Sequence, residues 1–148
     1  MSRPPKKETG ERVVYEAAKL LDTPFVLRGR VPGVGIDCMG LVVIAHREAG
    51  LDVPDPRNYR GVAAQNHADM ATYRRAFRRV RREDARPGDM ALIAGGDQAH
   101  QAIVAEAGES GALVLYHADD RAAVSRVVLA PLSEDLAVRA VYRHRSLP

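Results

Sequence analysis

The chain of 148 residues is 46% hydrophobic and 28% charged, which fits one globular domain over 1–148 and excludes a second independent core. Its single cysteine, Cys38, excludes an internal disulfide, and the net charge of +3 permits an anionic partner without requiring one. No apolar run approaches the roughly 20 residues that span a membrane, and the first residues lack the apolar segment of a signal peptide. We therefore expect a protein made in the cytoplasm, with residues 1–8 as a disordered tail.

Two helices are predicted in the first fifty residues. Apolar residues recur at helical spacing and predict an amphipathic helix over 10–21. The density of Pro and Gly predicts an irregular loop over 24–36. Asp37 is a good N-cap residue, and the segment CMGLVVIAHREAG that follows it predicts a mostly apolar helix over 38–49, which Gly50 ends.

The middle of the chain predicts a third helix. Residues 51–62 contain Pro and Gly breakers and are expected to form a loop, after which apolar residues fall at i, i+3, i+4 and i+7 from Tyr73. This spacing predicts an amphipathic helix over 64–80, with Tyr73 and Phe77 in the core and the arginines of RRAFRRVRR (74–82) facing solvent. The same arginines would suit an anionic polymer, although no nucleic-acid motif accompanies them and nucleic acid is not the expected partner.

From Arg86 onward the pattern changes from helices to strands. Pro87-Gly88 predicts a turn and Gly95-Gly96-Asp97 predicts a hairpin. The segments MALIA, HQAIVAE, ALVLYH, AVSRVVL and LAVRAVY have the length of strands and predict a meander of about five antiparallel strands. Helices first and strands second is the order of an α+β domain with helices packed on one face of a sheet.

Cys38 is the first candidate for chemistry. It is predicted in the first turn of the second helix, where unpaired backbone N–H groups and the positive end of the helix dipole favour a thiolate. The same N–H groups would stabilise an oxyanion on a carbonyl that the sulfur attacks. The alternative is an inert core thiol, because a lone buried cysteine is a common small core residue.

The five histidines are the candidates for the base that a cysteine nucleophile needs. His46 lies eight residues beyond Cys38 in the same predicted helix, about 12 Å along its axis, and is too far away. His67 on the third predicted helix and His144 in the arginine-rich C-terminal segment are expected in solvent. The base is therefore expected among the remaining two histidines.

These two, His100 and His117, are predicted on neighbouring strands. If the turn between the strands is formed by 107–110, His100 lies directly opposite His117, with Cβ atoms ~4.5–5.5 Å apart. One additional turn residue would place His117 on the other face of the sheet. The alternatives are two unrelated half-buried histidines, or a Zn²⁺ site shared with Cys38. No short metal-ligand pair is present, so no metal or other cofactor is expected.

Five motifs occur in order along the chain: LLDTPFVLRGR, GIDCMGLV, ARPGDMALI, HQAIV and YHA. In this order and spacing the chain resembles the NlpC-type cell-wall peptidases, a family similar to a trimmed papain, over about residues 11–143. Residues 51–83 match only as an expected helical insertion. The C-terminal PLSEDLAVRAVYRHR is similar to the ending of the branch found in phage and gene-transfer-agent tails.

The resemblance implies a papain-like α+β fold and a cysteine peptidase. It makes Cys38 the nucleophile, His100 the general base and His117 the third, orienting residue. The implied substrate is the peptide stem of peptidoglycan, typically at the bond from γ-D-glutamyl to the diamino acid, cleaved through a thioester. With no signal peptide expected, we expect delivery by a phage-like tail to the periplasm or cell wall, with tail proteins as partners.

The chain also departs from the family around the expected substrate groove. Phe25 stands where the family usually has Tyr, so a hydroxyl contact to substrate or oxyanion is missing. Arg28 and Arg30 lie in a basic loop where many members carry Trp-Gly-Gly. They are candidates for pairing with substrate carboxylates, the alternative being a solvated loop. Asp37 borders the same groove and is expected to be an N-cap rather than a catalytic acid.

Two other functions would keep this fold. One is a catalytically silent structural or wall-binding tail component, for which a slow alkylation of Cys38 is expected. The other is a papain-like acyltransferase or amidase that acts on another substrate, for which transfer to an added amine in preference to water is expected.

Overall fold

The computed structural model describes residues 3–57, 59, 71–95, 98–132 and 137–148. Two helices precede the sheet, close to their predicted bounds. Helix α1 spans Gly10–Ala18 and is capped by Thr9, whose side chain accepts a hydrogen bond from the Arg12 N–H. Helix α2 spans Cys38–Glu48 and packs on α1 and on the sheet.

The loop between the two helices contains a small hairpin formed by β1 (Arg30–Val31) and β2 (Gly35–Ile36). Arg28 precedes this hairpin with a φ of +61°, in the left-handed region that glycine adopts far more easily. An arginine at this position therefore holds a backbone conformation that suits glycine. The hairpin leads directly to Asp37 and the start of α2.

The main sheet contains six strands among the described residues, one more than the approximate number predicted. Every pair of neighbouring strands is antiparallel, and α2 packs against β5 and β6. The architecture is therefore α+β, as the sequence predicted. In spatial order the strands are β3 (Phe77–Val80), β8 (Val138–His144), β4 (Met90–Gly95), β5 (Gln98–Ala107), β6 (Ala112–Asp119) and β7 (Arg126–Pro131).

The additional strand corrects the prediction of a helix over 64–80. Only Ala71–Arg74 form a helical turn, α3, whereas Phe77–Val80 form the edge strand β3 and pair with β8. Tyr73 and Phe77 are buried, as predicted. From Phe77 onward, however, the backbone pairs with β8, and this pairing outweighs the helical spacing of the apolar residues. Residues 64–70 lie outside the described residues.

The prediction that His144 is solvated is also wrong. His144 ends β8 and is 5% exposed, and its Nε2 lies 2.7 Å from the Asp52 carbonyl oxygen. Its ring stacks on that of His46, with centroids 6.0 Å apart. The C-terminal arginine-rich segment is thus a strand of the sheet, which brings His144 into the core. His67 lies outside the described residues.

Candidate active site

Cys38 is the first residue of α2, as predicted, and is 0% exposed. Asp37 caps the helix through Oδ1, which accepts a hydrogen bond of 2.8 Å from the Gly40 N–H. Burial raises the pKa of the Cys38 thiol to about 12, and backbone hydrogen bonds from Gln101 and Met39 offset only part of that effect. The helix N-terminus was expected to favour a thiolate, but burial outweighs it and the sulfur carries its proton at neutral pH.

Cys38 lies against strand β5 of the sheet. Its thiol receives a backbone hydrogen bond from Gln101, the residue that follows His100 on β5. The Gln101 side chain is itself held in place, because its Oε1 accepts a hydrogen bond from the Tyr73 hydroxyl. The nucleophile candidate Cys38 thus begins α2, and the base candidate His100 lies on β5 next to Gln101.

His100 and His117 lie on neighbouring antiparallel strands, but the predicted register is wrong by two residues. His117 is opposite Ala102 rather than opposite His100. The turn is formed by 108–111, because Gly111 closes it with a φ of +71°. A shift of two residues preserves the side-chain alternation, so the two histidines share a face of the sheet as diagonal neighbours, typically about 7–8 Å apart with their Cβ atoms somewhat closer.

The two histidines differ in environment. His117 is 5% exposed, and burial lowers its pKa. His100 has a side chain that is 14% exposed, and its Nε2 lies 3.9 Å from Oδ1 of Asp120. A buried imidazole thus lies next to a more accessible one that faces a carboxylate.

Arg30 and Asp37 belong to a buried network beneath the start of α2. Arg30 Nη1 lies 2.9 Å from Asp37 Oδ1, and Arg30 Nε lies 2.8 Å from Asp55 Oδ1. The Tyr59 hydroxyl accepts a hydrogen bond of 2.9 Å from Arg30 Nη2 and donates one to Asp37 Oδ2. Both expectations for Arg30 placed it at the surface, whereas its side chain is 5% exposed and faces inward.

Arg28 and Phe25 occupy the edge of this network. The Arg28 N–H donates a hydrogen bond of 2.8 Å to Asp37 Oδ2, and its Nη1 donates one of 3.1 Å to the Tyr59 carbonyl oxygen. Arg28 is otherwise exposed, so its guanidinium can still meet a ligand. Phe25 is half-buried against the core and forms an isolated parallel bridge with Ile36.

Three residues of the site were not singled out from the sequence: Asp55, Tyr59 and Asp120. Asp55 and Tyr59 lie more than twenty residues beyond Arg30 in a loop, and no local pattern connects them to it. Asp120 had a signal, because the acidic pair in YHADD directly follows the strand that carries His117.

The described residues contain neither a metal-binding cluster nor a membrane-spanning helix. No group of three or more His, Cys, Asp or Glu side chains there is arranged to hold a metal ion. None of the helices in that part of the chain is long and apolar enough to cross a membrane.

The fold and the site together define a papain-like α+β domain: a cysteine begins a helix that packs on an antiparallel sheet, and two strands of that sheet carry histidines. Comparison with protein families agrees, because residues 22–130 match the NlpC/P60 family. The chain belongs to the NlpC/P60 family. A search of curated protein sequences found no significant match.

Solved structures show the same fold. An NLP/P60-family protein from Staphylococcus aureus subsp. aureus Mu50, described as similar to a lipoprotein, is 24% identical with a TM-score of 0.62. That comparison covers 97% of this chain but only 45% of the Staphylococcus chain. The NlpC/p60 domain of the peptidoglycan hydrolase SagA is 20% identical with a TM-score of 0.61, covering 91% of this chain and 98% of that one.

One of the similar structures is of a protein described as non-catalytic. RipD from Mycobacterium tuberculosis is described as a non-catalytic NlpC/p60 domain protein adapted to peptidoglycan binding. It is 17% identical with a TM-score of 0.57, and the comparison covers 90% of this chain and 95% of that one. The fold is therefore shared by hydrolases and by at least one binding protein.

Proposed function

We propose that this chain is a cysteine peptidase that hydrolyses amide bonds in peptidoglycan stem peptides, at the bond from γ-D-glutamyl to the diamino acid. The observation that carries the proposal is the position of Cys38, at the start of α2 and hydrogen-bonded to the backbone next to His100. Membership of the NlpC/P60 family and the similarity to a domain of a peptidoglycan hydrolase support the same substrate class.

In the proposed reaction His100 takes the thiol proton as the Cys38 sulfur attacks the carbonyl carbon of the scissile amide. Backbone N–H groups at the start of α2 stabilise the oxyanion. His100 then gives the proton to the leaving amine as the C–N bond breaks, and water hydrolyses the thioester to release the acid and restore the thiol. Because burial raises the pKa of Cys38 to about 12, the reaction depends on this base.

The test is digestion of defined muropeptides, with the products read by mass spectrometry. We expect the unaltered protein to release new amino termini, and Cys38→Ala to lose at least about 10³-fold in rate. His100→Ala should be nearly as damaging, whereas His117→Ala should retain residual activity. Circular dichroism of each variant verifies the fold, and cleavage by Cys38→Ala at the normal rate would refute the proposal.

The burial of Cys38 supports a second candidate function, a peptidoglycan-binding domain without catalysis. The thiol is 0% exposed and its pKa is raised, and RipD is described as having this kind of function. Co-sedimentation with purified peptidoglycan that releases no new amino termini, together with slow alkylation of Cys38 by iodoacetamide, would favour binding over hydrolysis.

We further propose that the protein reaches the periplasm or cell wall as part of a phage-like tail. The support is the C-terminal PLSEDLAVRAVYRHR, which is similar to the ending of the tail-associated branch. Co-purification of the protein with tail particles is the expected result, and its absence from purified particles would contradict this route.

A further inference from the structure

We propose that Asp120 is the positioning residue of His100, a role that rests on the proposed peptidase function. Its carboxylate holds the imidazole through Nε2 and leaves Nδ1 to accept the proton of Cys38. This assignment gives Asp120 the orienting role that the resemblance implied for His117.

The geometry places Asp120 against His100. Asp120 directly follows the last residue of β6, and its Oδ1 lies 3.9 Å from His100 Nε2. That separation is about 1 Å longer than a charge-assisted hydrogen bond. The Asp120 side chain is 31% exposed and the His100 side chain 14% exposed. Catalytic hydrogen bonds are often long before substrate binds and shorten in the complex.

The charge of Asp120 reaches the other two groups of the site as well. Burial is the main cause of the raised pKa of the Cys38 thiol, and the charge of Asp120 adds a smaller increase; on the His117 imidazole burial lowers the pKa and Asp120 opposes it weakly. One carboxylate therefore lies within electrostatic reach of the nucleophile and of both histidines.

The neighbouring acid, Asp119, is already paired. Both of its carboxylate oxygens accept hydrogen bonds from the Arg121 guanidinium, at 3.0 Å from Nε and 2.6 Å from Nη2. Asp119 is 4% exposed, and this bidentate pairing offsets its charge. Of the two consecutive acids, Asp120 is the one that faces His100.

His117 is poorly suited to the orienting role. It lies opposite Ala102, and burial, the largest cause, lowers its pKa, which favours the neutral imidazole. When His100 takes the thiol proton it becomes positively charged, and a neutral imidazole cannot offset that charge as a carboxylate can. We assign His117 to the buried wall of the site beneath His100.

The test compares Asp120→Asn and Asp120→Glu with Glu109→Gln, which removes an exposed acid at the opposite end of the β5–β6 hairpin. We expect Asp120→Asn to lower both kcat on a defined muropeptide and the rate of Cys38 alkylation by iodoacetamide by about 10²-fold, with KM changed less than about twofold. Asp120→Glu should restore most of the rate, and Glu109→Gln should behave as the unaltered protein.

Nitrogen-15 NMR of the His100 ring gives a readout that a purely structural role would not change. The Nε2–H tautomer should dominate in the unaltered protein and in Asp120→Glu, and should lose its dominance in Asp120→Asn. An unchanged tautomer in Asp120→Asn, or equal losses of alkylation rate in the Asn and Glu variants, would overturn the assignment.

Alkylation and NMR require no peptidoglycan, so they separate the two proposals. If the unaltered protein cleaves no muropeptide while the His100 tautomer depends on Asp120, the peptidase function fails and the positioning role stands. Should Cys38 resist iodoacetamide in every variant because it is buried, the tautomer alone decides.

Discussion

Arg30 and Asp37 form a buried ion pair directly beneath Cys38, with Nη1 and Oδ1 2.9 Å apart and side chains that are 5% and 0% exposed. Asp37 also caps α2, so the position of the helix start, and with it the thiol, depends on this arginine. Gly40 leaves the space that the pair needs, because an added Cβ there would lie 3.0 Å from Arg30 Nη1 and 2.6 Å from the Gly29 carbonyl oxygen.

Replacement of Arg30 should therefore destabilise the protein. Arg30→Met leaves the charge of Asp37 buried without its partner, and we expect a loss of about 3–5 kcal/mol in the free energy of unfolding. Urea denaturation measures it, and Arg30→Lys, which keeps the charge but loses the planar fork, should give an intermediate value. A variant of normal stability that only raises KM would instead point to a substrate contact.

Two variants of Arg28 separate the effect of its backbone strain on stability from the effect of its side chain on substrate binding. Arg28→Gly removes the side chain from a left-handed backbone position and should raise stability by up to about 1 kcal/mol, whereas Arg28→Ala keeps the strain. If the exposed guanidinium pairs with a substrate carboxylate, both variants should raise KM on muropeptides by about tenfold. Equal stability of the two variants would argue against strain, and unchanged KM against the carboxylate contact.

The aspartate of the RPGD motif has a structural partner that can be tested. Asp89 receives a bidentate pair from Arg143 on β8, at 2.7 Å from Nε and 2.9 Å from Nη2, and both side chains are buried. Arg143→Lys cannot form both bonds and should cost about 2–4 kcal/mol by urea denaturation. Arg139→Lys, an exposed change on the same strand, should shift stability by less than about 0.5 kcal/mol.

Stability should fall on mild acidification because of His46. Burial lowers the pKa of this histidine from 6.5 to about 4. Between pH 6.5 and about pH 4 the unfolded chain binds a proton at His46 that the folded chain does not bind. The free energy of unfolding therefore decreases as the pH is lowered through this range, by about 3 kcal/mol at most. Above pH 6.5 the contribution is constant. Urea midpoints at pH 7.5 and pH 4.5 measure the effect.

The control for this pH dependence is His46→Leu. It should show a smaller loss of stability between the two pH values, because the remaining dependence comes from other groups, including His117, whose pKa burial also lowers. An equal loss in both proteins would show that His46 does not protonate on unfolding in this range.

The features that the sequence predicted correctly depend on neighbouring residues in the chain. Helix α2 begins after Asp37 because an N-cap precedes an apolar run, and both signals lie within a dozen residues. The histidine register was missed by two residues because it depends on which residues close one turn, and the left-handed Gly111 decides that. Since the side-chain alternation has a period of two, the shared face survived the error.

The features that were missed depend on contacts between distant parts of the chain. The residues 77–80 have helical spacing when taken alone, and their pairing with β8, more than fifty residues further on, makes them a strand. Arg30 is in a loop rich in Pro and Gly, which predicts exposure, and its burial requires Asp55 and Tyr59. Neither the pairing with β8 nor the contacts of Arg30 with Asp55 and Tyr59 leave a pattern in the neighbouring sequence.

Strand β3 lies within the arginine run of residues 74–82, so part of this run is a sheet edge and not the solvent face of a helix. Among the described strands β3 and β7 form the two outer edges of the sheet, and an outer strand offers unpaired backbone groups to any strand of another molecule. β3 is only four residues long and carries Arg78 and Arg79, and Arg81 follows it. The short length of β3 and the charges of Arg78 and Arg79 both oppose the docking of a second chain at this edge.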